Sequence, residues 1–146
     1  MHINLMRPCV GIGSPEELYD FQKSHRIERD KDGTPYTFFT TRNTPKRAEE
    51  LINGGSVFWI TKSAMRMRQS IINVETLLDE DGKKFCKIST DPEIMLVVPK
   101  SQKAFQGWRY LPAEKSPNDL HPLDPHHAQN QPDEKMAKEL AELGLL

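Results

Sequence analysis

Six basic side chains are concentrated in one 27-residue stretch of the sequence. They are Arg42, Lys46, Arg47, Lys62, Arg66 and Arg68. The same stretch contains two acidic residues, Glu49 and Glu50. Arginine forks, together with free backbone N–H groups at a helix N-terminus, are groups with which proteins bind phosphate. The pattern indicates a site for phosphate or nucleic acid, and it is also typical of an ordinary solvated surface.

Aromatic residues accompany these cations. Trp59 and Trp108 could stack on a nucleic-acid base, or both could belong to the core. In "GWRYL", Arg109 lies between two aromatic residues. Its guanidinium could face a ligand pocket or stack inside the fold.

Catalytic and metal-binding motifs are not found in the sequence. There is no GxSxG, HExxH or P-loop motif, and Gly11-x-Gly13 lacks the third glycine of a dinucleotide-binding turn. The histidines of "HPLDPHH" have no second cluster of matching spacing. We expect no metal and no cofactor, and binding rather than catalysis. A small enzyme on a nucleotide-like substrate, with Arg109 holding an anionic group, is one alternative.

The chain of 146 residues is long enough for one domain and a tail. Residues 1–112 contain 17 Lys and Arg against 14 Asp and Glu, whereas residues 113–146 contain 3 against 7. A mildly basic body is compatible with an anionic ligand but does not require nucleic acid. Since no apolar run is long enough for a membrane helix, we expect no membrane partner and a cytoplasmic location.

The elements that must position these residues can be predicted from local signals. Ser14, Pro15 and Glu17 predict a capped helix from about Pro15. A second helix of about two turns is expected with Thr44 as its cap and Pro45 first, burying Ala48, Leu51 and Ile52. It should end at "NGG", where Asn53 or Gly54 takes a left-handed backbone conformation.

The remaining segments predict strands. "SVFWIT" predicts a buried strand. "MRMRQSIINVETLL" predicts a long strand with one solvent-exposed end, and Asp81-Gly82 predicts a hairpin turn after it. About six strands with two inserted helices indicate the α+β class. We expect a strongly bent mixed sheet or a small open β-barrel, covered by two or three helices.

The predicted domain covers residues 1–118, and a Pro- and His-rich linker follows at 119–131. Residues 132–146 predict an amphipathic C-terminal helix with Met136, Leu140 and Leu143 on one face. A different class of function is therefore a protein-interaction module, in which this helix binds a partner or a second copy of the chain.

Three motifs carry a resemblance to a known family: "PKRAEELINGGSVFWITK", "RQSIINVE" and "FQGWRYL". Over roughly residues 1–120 the chain resembles a family of small bacterial proteins described as a domain of unknown function. The helix near Pro45 that leads through glycine into a strand also resembles ASCH and PUA-like domains, which are small β-barrels associated with RNA. The sequence departs from the ASCH pattern after Gly55, because Ser56-Val57-Phe58-Trp59 replaces its lysine and Glu-x-Arg.

The leading hypothesis is a non-catalytic, PUA-like binding domain. Its basic face would contact RNA or a phosphorylated small ligand.

Overall fold

A computed structural model describes residues 3–124 of the chain. Nine strands form in this range: β1 (Ile3–Pro8), β2 (Ile27–Arg29), β3 (Pro35–Thr41), β4 (Ser56–Thr61), β5 (Ala64–Leu78), β6 (Lys84–Thr90), β7 (Met95–Ser101), β8 (Arg109–Pro112) and β9 (Asp119–Pro122). The helices of this range are α1 (Pro15–His25), α2 (Ala48–Ile52) and a short 3₁₀ turn (Ala113–Lys115).

The strands form one open mixed sheet in the order β2-β3-β6-β5-β4-β1-β8. Strand β7 also pairs with β5, and β9 extends the sheet from β7. Within the described residues every strand pair is antiparallel except β1 with β4. The predicted α+β class, the mixed open sheet and the small number of helices are thus confirmed, whereas the PUA-like assignment stays a prediction.

Strand β5 organises the sheet because it is long enough to serve several partners. Its first half pairs with β4 and β7, and its second half pairs with β6. The turn between β5 and β6 contains Gly82 at φ +77°, as the Asp81-Gly82 signal predicts. The prediction of one long strand followed by a hairpin is confirmed.

The core lies on both faces of β4, all six residues of which are buried. Val57 and Trp59 pack with Leu5 and Met67 on one face. Phe58 and Ile60 belong to a second apolar cluster on the other face. We call the Trp59 side of the sheet the first face and the Phe58 side the second face. Side chains directly opposite each other on paired strands lie on the same face, so a residue opposite Trp59 belongs to the first face and one opposite Phe58 to the second.

Helix α1 begins as the sequence predicts. The Ser14 hydroxyl accepts a hydrogen bond from the Glu17 N–H at 3.2 Å, and the Glu17 carboxylate accepts one from the Gly13 N–H at 2.8 Å. Leu18 and Gln22 are buried, and the Gln22 amide exchanges two hydrogen bonds with the Gln69 amide of β5. These contacts fix the helix on the first face of the sheet.

Helix α2 differs from its prediction. It begins at Ala48 rather than Pro45, and Arg47 occupies the N-cap position without a side-chain cap. The Thr44 hydroxyl is hydrogen-bonded to that of Thr76 at 2.8 Å, so it does not cap the helix. The expected burial of Ile52 is also wrong, since this side chain is 37% exposed in a helix of five residues.

The sheet continues beyond residue 118, where the sequence predicts a linker. Residues 119–122 form β9 against β7, and the buried Leu123 donates its N–H to the Ile94 carbonyl at 2.8 Å. Pro122 is compatible with this position because β9 lies at the edge of the sheet. The remainder of the predicted linker and the predicted C-terminal helix lie outside the described residues.

Candidate functional site

An open cleft of about 940 Å³ lies where the ends of β1 and β3 meet the loop before β8. We call it the Arg7 cleft. The residues that line it include Arg7, Thr40, Arg42, Asn43, Phe85 and Trp108. Cationic, amide and aromatic side chains therefore share one concave surface.

Arg7 enters the cleft from β1. In the register of β1 and β4 it lies opposite Trp59, so its side chain belongs to the first face of the sheet. The guanidinium carbon is 5.2 Å from the centre of the Phe39 ring and 5.9 Å from that of the Trp59 ring. Both rings attract the cation through their negative faces.

The hydrogen-bonding capacity of Arg7 is mostly unused within residues 3–124. Its Nη2 donates to the Thr40 carbonyl at 3.3 Å, whereas its Nε is buried and has no partner. Burial lowers the pKa of the Arg7 guanidinium. The group nevertheless keeps its charge, because an ordinary arginine pKa lies far above neutral pH.

Cys9 is close enough to Arg7 to affect the pKa of the guanidinium. The thiol does not, however, neutralise the charge of Arg7. Burial raises the pKa of the Cys9 thiol to about 12, and the nearby guanidinium offsets only part of this effect. The thiol is therefore protonated at neutral pH and is a poor nucleophile there. No ion pair joins Arg7 to a carboxylate in the described part of the chain.

Arg42 lies just after β3 and lines the same cleft. Its side chain is exposed, and its Nη1 donates to the Lys84 carbonyl at 3.1 Å. Asp79 also lines the cleft, and its Oδ1 accepts hydrogen bonds from the N–H groups of Asp81 and Lys83 in the β5–β6 turn. The cleft thus combines two guanidinium groups with one carboxylate.

Trp108 is held in a defined orientation. Its indole Nε1 donates to the Asn43 carbonyl at 3.0 Å, and its ring meets the Tyr110 ring edge to face with 5.0 Å between ring centres. It also lines an adjacent apolar depression of about 420 Å³, together with Lys46, Arg47 and Tyr110. Trp108 therefore lines both the cleft and this depression.

The structure brings some of the sequence-predicted residues together at this place. Arg42 and Trp108 line the cleft, and Lys46 and Arg47 line the neighbouring depression. Arg47, however, forms a two-pronged ion pair with Glu50 at 2.6 and 2.7 Å. The Arg47 backbone N–H is also satisfied, because it donates to the Tyr110 hydroxyl at 3.0 Å.

The other predicted cations do not join this site. Arg68 lies opposite Phe58, hence on the second face, and bonds Asp119 at 2.8 and 2.7 Å. Arg66 is buried and donates to the Thr61 carbonyl. Lys62 occupies the β4–β5 turn. The exposed Arg109 stacks over Phe105, 4.3 Å from the ring centre.

The six cations therefore do not form one continuous face. Trp59, considered above for stacking, is a core residue, 3% exposed. Arg7 is the functional candidate that sequence reasoning missed. The sequence feature that could have indicated it is a single arginine within a mainly apolar strand, "INLMRP".

Two features of other site classes are not found among residues 3–124. No group of three or more His, Cys, Asp and Glu side chains is arranged to hold a metal ion there. No helix in this range is long and apolar enough to span a membrane.

A family model described as a protein of unknown function, DUF1489, matches residues 5–146. Because this match spans nearly the whole sequence, the chain belongs to the DUF1489 family. No curated protein and no solved structure matches the chain. The resemblance to a family of unknown function is thereby confirmed, whereas the resemblance to ASCH and PUA-like domains stays a prediction.

Proposed function

We propose that this member of the DUF1489 family is a non-catalytic, cytoplasmic binding domain that holds a phosphate-bearing small ligand in the Arg7 cleft. The observation that carries the proposal is that two guanidinium groups, those of Arg7 and Arg42, line one open cleft. The free thiols of Cys9 and Cys86 support the proposed location, because the cytoplasm is a reducing compartment in which cysteines stay unpaired.

The energetic argument starts from the cost of an unsatisfied charged donor. A buried polar group without a partner destabilises the fold by about 1–3 kcal/mol, and by more when it is charged. Nε itself is closed to the cleft, but a phosphate oxygen there would accept a charge-assisted hydrogen bond from the outer nitrogens of the same half-buried guanidinium. Ligand binding would thereby recover free energy that the unliganded protein lacks, and Arg42 would add a second guanidinium at the mouth of the cleft.

The distribution of the other cations favours a small ligand over RNA. An RNA-binding surface needs several accessible cations that follow the phosphate backbone. Here Arg47 is paired with Glu50, and Arg68 lies on the opposite face of the sheet, paired with Asp119. The Arg7 cleft supplies two guanidinium groups, which suit one phosphoryl group.

Calorimetric titration with inorganic phosphate and with ribose 5-phosphate tests the proposal. We expect millimolar or tighter binding that weakens with added salt, and a loss of about fivefold or more in Arg42→Gln. Arg29→Gln is the matched control, since Arg29 is also exposed and also donates to a hairpin carbonyl, that of Gly33, at 2.9 Å. This control should change affinity by less than twofold.

Three results would overturn the proposal. The first is no saturable binding of either probe at low salt. The second is an equal loss of affinity in both arginine variants. The third is a short oligouridine that binds more tightly than ribose 5-phosphate with a log–log salt slope steeper than about −2, because such a slope indicates several phosphate contacts and hence an RNA-binding surface.

A further inference from the structure

We infer that the ligand of the Arg7 cleft is a nucleoside monophosphate, with its phosphate at Arg7 and Arg42 and its base on Trp108. This inference rests on the proposed function, and it identifies the chemical class of the ligand. It depends on the part of the cleft that a phosphate alone would not fill, which is lined by Trp108, Asn43 and Gln106.

Trp108 supplies a preformed stacking surface. Its indole is held by the hydrogen bond to the Asn43 carbonyl and by the T-shaped contact with the Tyr110 ring. The ring is half-buried and lines the cleft. Because its orientation is already set by these contacts, a planar base could stack on it with little loss of side-chain entropy.

Amide side chains near the ring suit the edge of a base. Asn43 and Gln106 both line the cleft. Each amide has a donor and an acceptor, as a nucleobase edge does. The half-buried Phe85 adds a second aromatic surface to the same cleft.

Charge favours one phosphate group over three. A phosphomonoester carries a charge of about −1.5 to −2 at neutral pH, which the guanidinium groups of Arg7 and Arg42 can balance. Asp79 adds a carboxylate to the same cleft. A triphosphate would exceed the available positive charge and would be repelled by this carboxylate. The cleft volume of about 940 Å³ is within the range typical of small-molecule sites.

The test compares ligands that differ by one part at a time. Titration calorimetry would measure the binding of AMP, CMP, ribose 5-phosphate and ATP to the intact protein. We expect AMP or CMP to bind at least about tenfold more tightly than ribose 5-phosphate, since the base adds stacking on an aromatic side chain that ribose 5-phosphate cannot form. We expect ATP to bind no more tightly than AMP.

Variants of Trp108 assign the difference to the ring. Trp108→Leu should remove the advantage of AMP over ribose 5-phosphate, measured as the ratio of the two affinities for the same variant. Trp108→Phe should restore part of the advantage, because it keeps an aromatic face. The melting temperature of each variant, measured in parallel, shows whether the protein remains folded.

The failure of this inference is distinguishable from that of the proposed function. Equal binding of AMP and ribose 5-phosphate would refute the nucleotide inference and leave phosphate binding intact. An advantage of AMP that persists in a folded Trp108→Leu protein would also refute it, because the base would then bind elsewhere. If no phosphorylated probe binds, both proposals are wrong.

Discussion

Gly55 is predicted to be the least replaceable residue of the turn that leads from α2 into β4. A Cβ at this position would lie 2.6 Å from the Leu51 carbonyl oxygen and 2.9 Å from the Leu51 Cα, and closer still to the Ile3 carbonyl oxygen. All three atoms belong to the backbone, so no side-chain rotation can relieve the overlap. Gly55→Ala would have to separate the end of α2 from β1.

The cost can be estimated from the bonds that this separation would weaken. The Leu51 oxygen that the new methyl group would displace already accepts the Gly55 N–H at 2.8 Å, and the Gly55 oxygen accepts the Ile71 N–H at 2.9 Å. Overpacking typically costs about 1–3 kcal/mol, and each weakened hydrogen bond adds about 0.5–1.5 kcal/mol. We therefore expect Gly55→Ala to destabilise the protein by about 2–6 kcal/mol, equivalent to roughly 8–24 °C in melting temperature.

Two other glycines, Gly54 beside it and Gly82 in the β5–β6 turn, separate this effect from backbone strain. Gly54 and Gly82 have φ angles of +98° and +77°, and a Cβ at Gly82 would meet nothing within 4 Å. Alanine at Gly82 should cost about 1–2 kcal/mol through the left-handed backbone alone, and the positive φ of Gly54 should contribute a cost of similar size there. Urea denaturation followed by circular dichroism would measure all three variants. A Gly55→Ala protein no less stable than Gly82→Ala would refute the reasoning.

Two further predictions concern a strained turn and an ion pair. Ser63 has φ +61° in the two-residue turn between β4 and β5. Ser63→Gly should therefore stabilise the protein by about 0.5–1 kcal/mol, measured by thermal denaturation. The control is Ser24→Gly within helix α1, which should destabilise the protein. Hydrogen bonds from Arg68 lower the pKa of Asp119 in the folded state, so its stabilising effect is complete above the unfolded pKa near 4 and is lost as the pH falls through the folded pKa. Because the Asp119 side chain is 44% exposed, Asp119→Asn should cost about 1 kcal/mol or less at pH 7, and this cost should decrease as the pH falls through the folded pKa. A cost that does not change with pH would contradict the ion-pair explanation.

Local signals predicted the elements whose stabilising contacts are local. The α1 cap joins residues three and four apart, and the left-handed Gly54 follows from the need to leave α2 at once. The start of α2 could not be predicted in the same way. Thr44 has the chemistry of a cap, but its hydroxyl meets Thr76, 32 residues away. The role of Gly55 was equally hidden, because it depends on Ile3 of a distant strand.

The candidate site was predicted in part for the same physical reason. Counting cations in the sequence finds regions of high charge density, and this count found Arg42, Lys46 and Arg47. A ligand site depends instead on cations whose charge and hydrogen bonds are not already satisfied. Arg47 and Glu50 are three residues apart, so their ion pair can be predicted from the sequence. Arg68 and Asp119 are 51 residues apart, so their ion pair cannot be predicted in this way.

Arg7 shows the opposite case. It has no cationic neighbour in the sequence, so a search for charge clusters passes over it. Its significance comes from burial: β1 places the guanidinium beside Phe39 and Trp59, on a sheet face where Cys9 is neutral and Nε has no partner within the described residues. Because the guanidinium is only half-buried and lines the cleft, an anion there can reach its outer nitrogens. An arginine held in a cleft without a carboxylate partner among residues 3–124 is therefore a stronger reason to expect an anionic ligand than the number of basic residues around it.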